Sequence, residues 1–114
     1  MTYNNEDSET CIWTYWVRPG AEADFRVLLA ENWRILNRLG FVTDDPPLTF
    51  RSCDDPPVYV QIMTFAPGGM RPAHEHPDVI PVWEAVSRLV EERADHHNVP
   101  GMHFPFYRPA QLQA

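Results

Sequence analysis

The sequence predicts a small α+β domain: one sheet with two helices on a single face, in the order β-α-β-β-α-β. Three observations carry this. Four short runs are rich in aromatic and β-branched residues, as strands are. Two longer stretches repeat apolar residues at helical spacing. Two helices are too few to cover both faces of a four-stranded sheet, so one face is left for a second protomer or a ligand. The 114 residues suit one domain with a modest core.

Residues 1–10 (MTYNNEDSET) are polar and acidic and read as a mobile tail, neither a signal nor a transit peptide. Residues 11–18 (CIWTYWVR) read as the first strand. Its alternating sets are Cys11, Trp13, Tyr15, Val17 and Ile12, Thr14, Trp16, Arg18. Both contain Trp, which predicts a central strand covered on both sides. Pro19-Gly20 turns the chain into a helix over 21–39. Its inward stripe is Phe25, Leu28, Leu29, Asn32, Leu36 and Leu39, with Glu22 and Arg26 as an exposed i,i+4 pair. Gly40 is the expected C-terminal cap.

Strands over 48–53 and 58–66 follow, joined by the turn signal Asp54-Asp55-Pro56-Pro57. Pro67-Gly68-Gly69 ends the third strand. The second helix is expected from Asp78 or Val79 to about residue 94, with the stripe Val79, Val82, Trp83, Val86, Leu89 and Val90. Asp78 as N-cap places Pro81 in the first turn, where its missing N–H does little harm. Glu84, Arg88 and Glu92 form an outer ladder. The last strand is expected over 102–108, with Pro105 marking a sheet edge or a bulge. This is the ferredoxin-like, split-βαβ order, with both helices on one face of a four-stranded antiparallel sheet.

The formal net charge is −7, which disfavours nucleic acid and anionic membranes as partners. All nine basic residues are Arg, so no Lys is present for Schiff-base or general-base chemistry. No apolar run approaches the ~20 residues that span a bilayer, and a cytoplasmic location is expected. Cys11 and Cys53 lack metal or redox spacing and read as small buried hydrophobes. No G-x-S-x-G, P-loop or G-x-G-x-x-G occurs, which argues against nucleophilic serine chemistry and nucleotide cofactors.

The segments RPGAEADF, DDPPVYVQIMTF and AHEHPDVIPVWEAVSRLVEER resemble the dimeric α/β-barrel superfamily, and most closely its antibiotic-biosynthesis-monooxygenase-like members. The resemblance covers about residues 11–110, read as a single domain. It implies a homodimer in which two sheets pack face to face and close a barrel. It also implies a ligand site between sheet and helices. Some members are cofactor-independent monooxygenases acting on polycyclic phenols or quinols. Others degrade haem, isomerise or decarboxylate.

Asn32 falls within an apolar stripe, so its amide is either a pocket group for a substrate oxygen or is satisfied by the backbone or a trapped water. Trp13, Tyr15, Trp33 and Trp83, with Trp16, form either the walls of a pocket for a planar aromatic ligand or a bulky core. Tyr59, Gln61 and Arg51 are candidate dimer-interface polar groups. His74 and His76 make a His-x-His that also resembles the first cupin motif. Two imidazoles at that spacing share a side only if the chain is extended there. With no further ligand at a familiar spacing, no metal is assigned, and one of these His is instead a proton acceptor at the pocket mouth.

Three functions stay open. One is a small oxygenase without metal or flavin, acting on an aromatic or quinol with His74, His76 and Asn32 as its catalytic set. One is a non-catalytic ligand-binding or scaffold dimer. One is a His-x-His metal binder.

Overall fold

A computed structural model describes residues 8–53 and 56–91, together with the backbone of 102–103 and 106–107. The elements run β1 (Glu9–Trp16), α1 (Glu22–Arg38), β2 (Leu48–Arg51), β3 (Val58–Phe65), α2 (Met70–Glu75), α3 (Ile80–Ser87), β4 (Met102–His103) and β5 (Phe106–Tyr107). All strand pairs are antiparallel, in the order β2-β3-β1, with β4 and β5 both on the other edge of β1. The ferredoxin-like α+β order expected from the sequence is present, with one helix more than expected.

β1 begins two residues earlier than expected, because Glu9 and Thr10 pair with Phe65 and Thr64. The Thr10 and Thr64 hydroxyls also meet across the ladder at 3.2 Å. Residues 1–7 of the expected tail lie outside the described residues. β4 and β5 replace the single last strand. They continue one register with β1, Tyr15 opposite Met102 and Cys11 opposite Phe106, where a bulge would have shifted it by one. Pro105 itself lies outside the described residues.

α1 lies over the sheet with Phe25, Leu29, Asn32 and Leu36 buried. Its end is fixed by two bonds, Gly40 N–H to Asn37 O and Phe41 N–H to Leu36 O, both 3.0 Å. That is the Schellman pattern, and it requires the positive φ of 77° that Gly40 supplies. The expected Glu22–Arg26 pair is not the one made. Glu22 turns inward to Arg51 and to the Tyr59 hydroxyl, where two donors meet it at once.

The second predicted helix is shorter and later. α3 starts after Val79, with no side-chain cap. Asp78 instead pairs with Arg38 at 3.3 Å, and its backbone N–H donates to His76 Nδ1 at 3.0 Å. Pro81 does sit in the first turn. The helix ends at Ser87 because the chain beyond it docks on β1. Arg18 N–H donates to Leu89 O, Glu91 N–H donates to Trp16 O, and Val90 bridges Val17. Edge pairing with β1 overrides a helical periodicity that continues to residue 90. Arg88 keeps its i,i+4 contact with Glu84 at 3.9 Å, whereas Glu92 lies outside the described residues. No helix among the described residues is long and apolar enough to cross a membrane.

The two sheet faces differ. Cys11, Trp13, Tyr15, Tyr59, Gln61, Met63 and Phe65 are buried beneath the helices. On the other face Ile12 lies opposite Ile62, and Ile62 opposite Leu48; Thr14 lies opposite Val60, and Val60 opposite Phe50. Leu48 and Phe50 are 59% and 56% exposed. β1 is therefore central in the sheet, but among the described residues helices cover it on one side only.

Candidate functional site

Between the sheet and the helices lies a cavity of about 360 Å³. β1 supplies Trp13 and Tyr15, α1 supplies Asn32, α2 supplies Met70 and His74, and α3 supplies Trp83 with Glu84 and Ser87 at the rim. Strand alternation places Trp13 and Tyr15 on the helix side, and the centre of the α1 stripe places Asn32 above them. The sequence candidates Trp13, Tyr15, Asn32, His74 and Trp83 thus share one cavity.

The aromatic walls lock edge to face. The Trp13 ring stands 6.1 Å from Trp83 at 90° and 6.2 Å from Tyr15 at 84°. Rings held this way keep fixed planes for a flat guest. Asn32 is 2% exposed, and its Oδ1 accepts from Trp83 Nε1 at 2.7 Å. An indole N–H only donates, so this bond sets which end of the amide faces Trp83. What Asn32 retains for a guest is Nδ2, a donor suited to a phenol or carbonyl oxygen.

His74 is exposed on α2, its ring 4.9 Å from Trp83 at 80°. It reaches the cavity from the solvent side. Burial holds the Tyr15 phenol well above its ordinary range, so it stays protonated. Burial likewise pushes the Cys11 thiol up to about 12, with the Trp13 indole pulling weakly the other way. A protonated, enclosed thiol is no nucleophile. Cys53 is exposed in the turn after β2 rather than buried as expected.

Other candidates lie elsewhere. His76 closes α2 and faces Phe41, ring centroids 5.8 Å apart. Because residue 74 is helical, the extended geometry that would aim both imidazoles at one ion is absent. Among the described residues no group of three or more His, Cys, Asp or Glu could hold a metal. Trp33 belongs to the far flank of α1 and lines a different cavity. Tyr59, Gln61 and Arg51, candidate dimer-interface groups in the sequence, face the helices and not the open sheet face. Tyr59 and Gln61 are buried, and Arg51 is held by Glu22.

Sequence reasoning missed α2, and with it Met70. Six residues are too few to show a 3.6-residue period. Its one signal is Gly-Gly followed by Pro72 two residues into the helix, where a first-turn proline fits.

Solved structures share this architecture. A point variant of SnoaB, a cofactor-independent oxygenase from Streptomyces nogalater, superposes with TM-score 0.72 at 20% identity, covering 93% of this chain and 96% of that one. A conserved protein from Methanosarcina mazei gives TM-score 0.72 at 9% identity over the same shares. A Nitrosomonas europaea protein provisionally assigned as an antibiotic biosynthesis monooxygenase gives 0.69 at 14%, covering 95% of each chain. The chain has the antibiotic-biosynthesis-monooxygenase-like fold. No family model and no curated protein matches the sequence.

Proposed function

We propose that the protein is a homodimeric, cofactor-independent oxygenase acting on an electron-rich aromatic or quinol. The observation that carries this reading is the single cavity uniting Trp13, Tyr15 and Trp83 as walls, Asn32 as a buried donor and His74 as an exposed base. The likeness to SnoaB supports the reaction class by analogy of fold.

In this mechanism Asn32 Nδ2 holds a substrate oxygen and His74 removes an activated C–H or O–H proton. The carbanion form of the substrate adds O2 to give a peroxide anion, which takes the proton back from His74 and becomes the hydroperoxide. Loss of water then leaves a carbonyl, so one oxygen atom enters the product and the other leaves as water. General-base assistance of this kind contributes about 10²–10⁴-fold. Dimerisation would bury the apolar face that carries Ile12, Leu48, Phe50, Val60 and Ile62.

The test is oxygen uptake with an anthrone-type substrate by protein treated with a chelator, alongside sedimentation of the native protein and Phe50→Asp. The reading expects ketone formation, a fall of about 100-fold in His74→Gln, and a dimer that Phe50→Asp dissociates. Substrate binding without uptake above the buffer rate would overturn the oxygenase. It would favour a non-catalytic binding dimer, which the internal Asn32–Trp83 bond also suits, since it satisfies the buried carbonyl without any guest.

A further inference from the structure

A second cavity, of about 480 Å³, lies on the opposite flank of α1, over β2 and β3. Arg26, Ala30 and Arg34 line it from the helix at i, i+4 and i+8, so two guanidinium groups flank a gap filled only by a methyl. Arg51 lines it from the sheet, already tied to Glu22. Three of the nine cationic side chains of an acidic chain thus border one hollow, and no carboxylate among the described residues lines it. Arg34 has only a loose contact with Glu31, 4.0 Å apart and exposed on both sides.

Two buried polar atoms at this cavity lack partners. Gln61 is 2% exposed, its Nε2 donates to Thr49 Oγ1 at 3.2 Å, and its Oε1 has no hydrogen bond. The Thr49 hydroxyl can serve either end of that amide, so one end of Gln61 stays without a partner whichever way the amide is turned. Trp33 lines the same cavity, and its indole N–H has no acceptor. Buried groups of this kind are costly unless something completes them. Thr49, Tyr59 and Gln61 lie on the helix side of the sheet, in register with Trp13 and Tyr15, so face-to-face dimerisation leaves these residues on the far side of the sheet from the partner; Phe50, from the open face, is the one lining residue that such a dimer would also bury.

We propose that this cavity is a second ligand site, selective for a small planar aryl carboxylate. Arg26 and Arg34 would grip the carboxylate, and Trp33 would supply an aromatic wall. Guanidinium groups recognise carboxylates through paired, charge-assisted hydrogen bonds. The first cavity has Glu84 at its rim and no Arg, and so disfavours the same anion.

The experiment titrates full-length ¹⁵N-labelled protein with 2-naphthoate and, separately, with its neutral analogue 2-naphthamide, following the four Trp indole signals. The expected result is saturable movement of the Trp33 signal with naphthoate, while Trp83 stays put. Arg26→Gln and Arg34→Gln should each weaken binding about tenfold, and naphthamide should bind at least about tenfold more weakly. Both arginines are exposed on the helix surface, so these variants fold. Equal affinity for the amide would overturn anion recognition. Movement of Trp83 instead of Trp33 would place the probe in the first cavity and overturn the site. A Trp33 signal that moves with protein concentration alone, and is indifferent to naphthoate, would assign the hollow to a second copy of the chain.

Discussion

Trp83 and Asn32, 51 residues apart in sequence, are joined by a 2.7 Å hydrogen bond between α3 and α1. The bond ties together the two long helices over the sheet and orients the one buried amide in the aromatic cavity. Trp83→Phe keeps an aromatic ring, though a smaller one, but removes the N–H, leaving Asn32 Oδ1 without its donor. Loss of a buried partner costs about 1–3 kcal/mol. Asn32→Leu should cost a similar amount by stranding the indole. The double variant should cost less than the two singles together, with a coupling of about 0.5–3 kcal/mol in urea denaturation. Strict additivity would mean that the pair does not act as a unit.

Gly69 sits where the chain leaves β3 for α2, and a side chain there has nowhere to go. A Cβ on it would lie 2.2 Å from Phe41 O and 3.1 Å from Ala66 O. Both are backbone atoms already engaged, since Ala66 N–H donates to Phe41 O and Gly69 N–H to Ala66 O. Neither can swing aside as a side chain would. Gly69→Ala should therefore destabilise by about 1–3 kcal/mol, the usual cost of overpacking. Because Gly69 launches the helix that carries Met70 and His74, the variant should also weaken binding of a planar aromatic in the first cavity. Gly40→Ala is the contrast: it meets open space but must adopt a φ of 77°. It should cost about 1 kcal/mol and leave the cavity unaffected. Thermal melts paired with ligand titrations separate the two behaviours.

Much of this architecture was legible because local pattern and tertiary packing agree. The aromatic and β-branched run of β1, the α1 stripe and the Gly40 cap each point one way, and the structure follows. Asn32 stood out as one polar residue in an apolar stripe, and Trp13, Tyr15 and Trp83 could be expected near it from periodicity alone. Failures came where a distant segment decides the outcome. Helical spacing runs on to Val90, yet the backbone after Ser87 is claimed by the end of β1. Trp33 neighbours Asn32 in sequence, but one residue along a helix is a turn of about 100°, enough to send it to another cavity. Tyr59 and Gln61 read as interface polar groups until the register placed them beneath α1.

Glu22 gives the fold a pH dependence whose direction can be worked out. The Arg51 bonds first, and the Tyr59 hydroxyl at 2.5 Å second, hold its carboxyl down to about 2 from an ordinary value of 4.5. A carboxyl with a lowered folded-state pKa stabilises the fold fully above its unfolded-state value. That contribution fades as pH falls through the folded-state value. It is therefore complete above about pH 5 and lost progressively between about pH 4.5 and 2. Glu22→Gln abolishes the ionisation while keeping the shape. The native protein should be more stable than Glu22→Gln at pH 6, and the two denaturation midpoints should converge as pH approaches 2. The same acidification protonates the anchor that fixes Arg51 beside Tyr59, so Tyr59→Phe should lose part of the effect and Arg51→Gln most of it. A native-minus-variant difference that stays constant from pH 6 to pH 2 would mean that the Glu22 charge contributes nothing to holding α1 on the sheet.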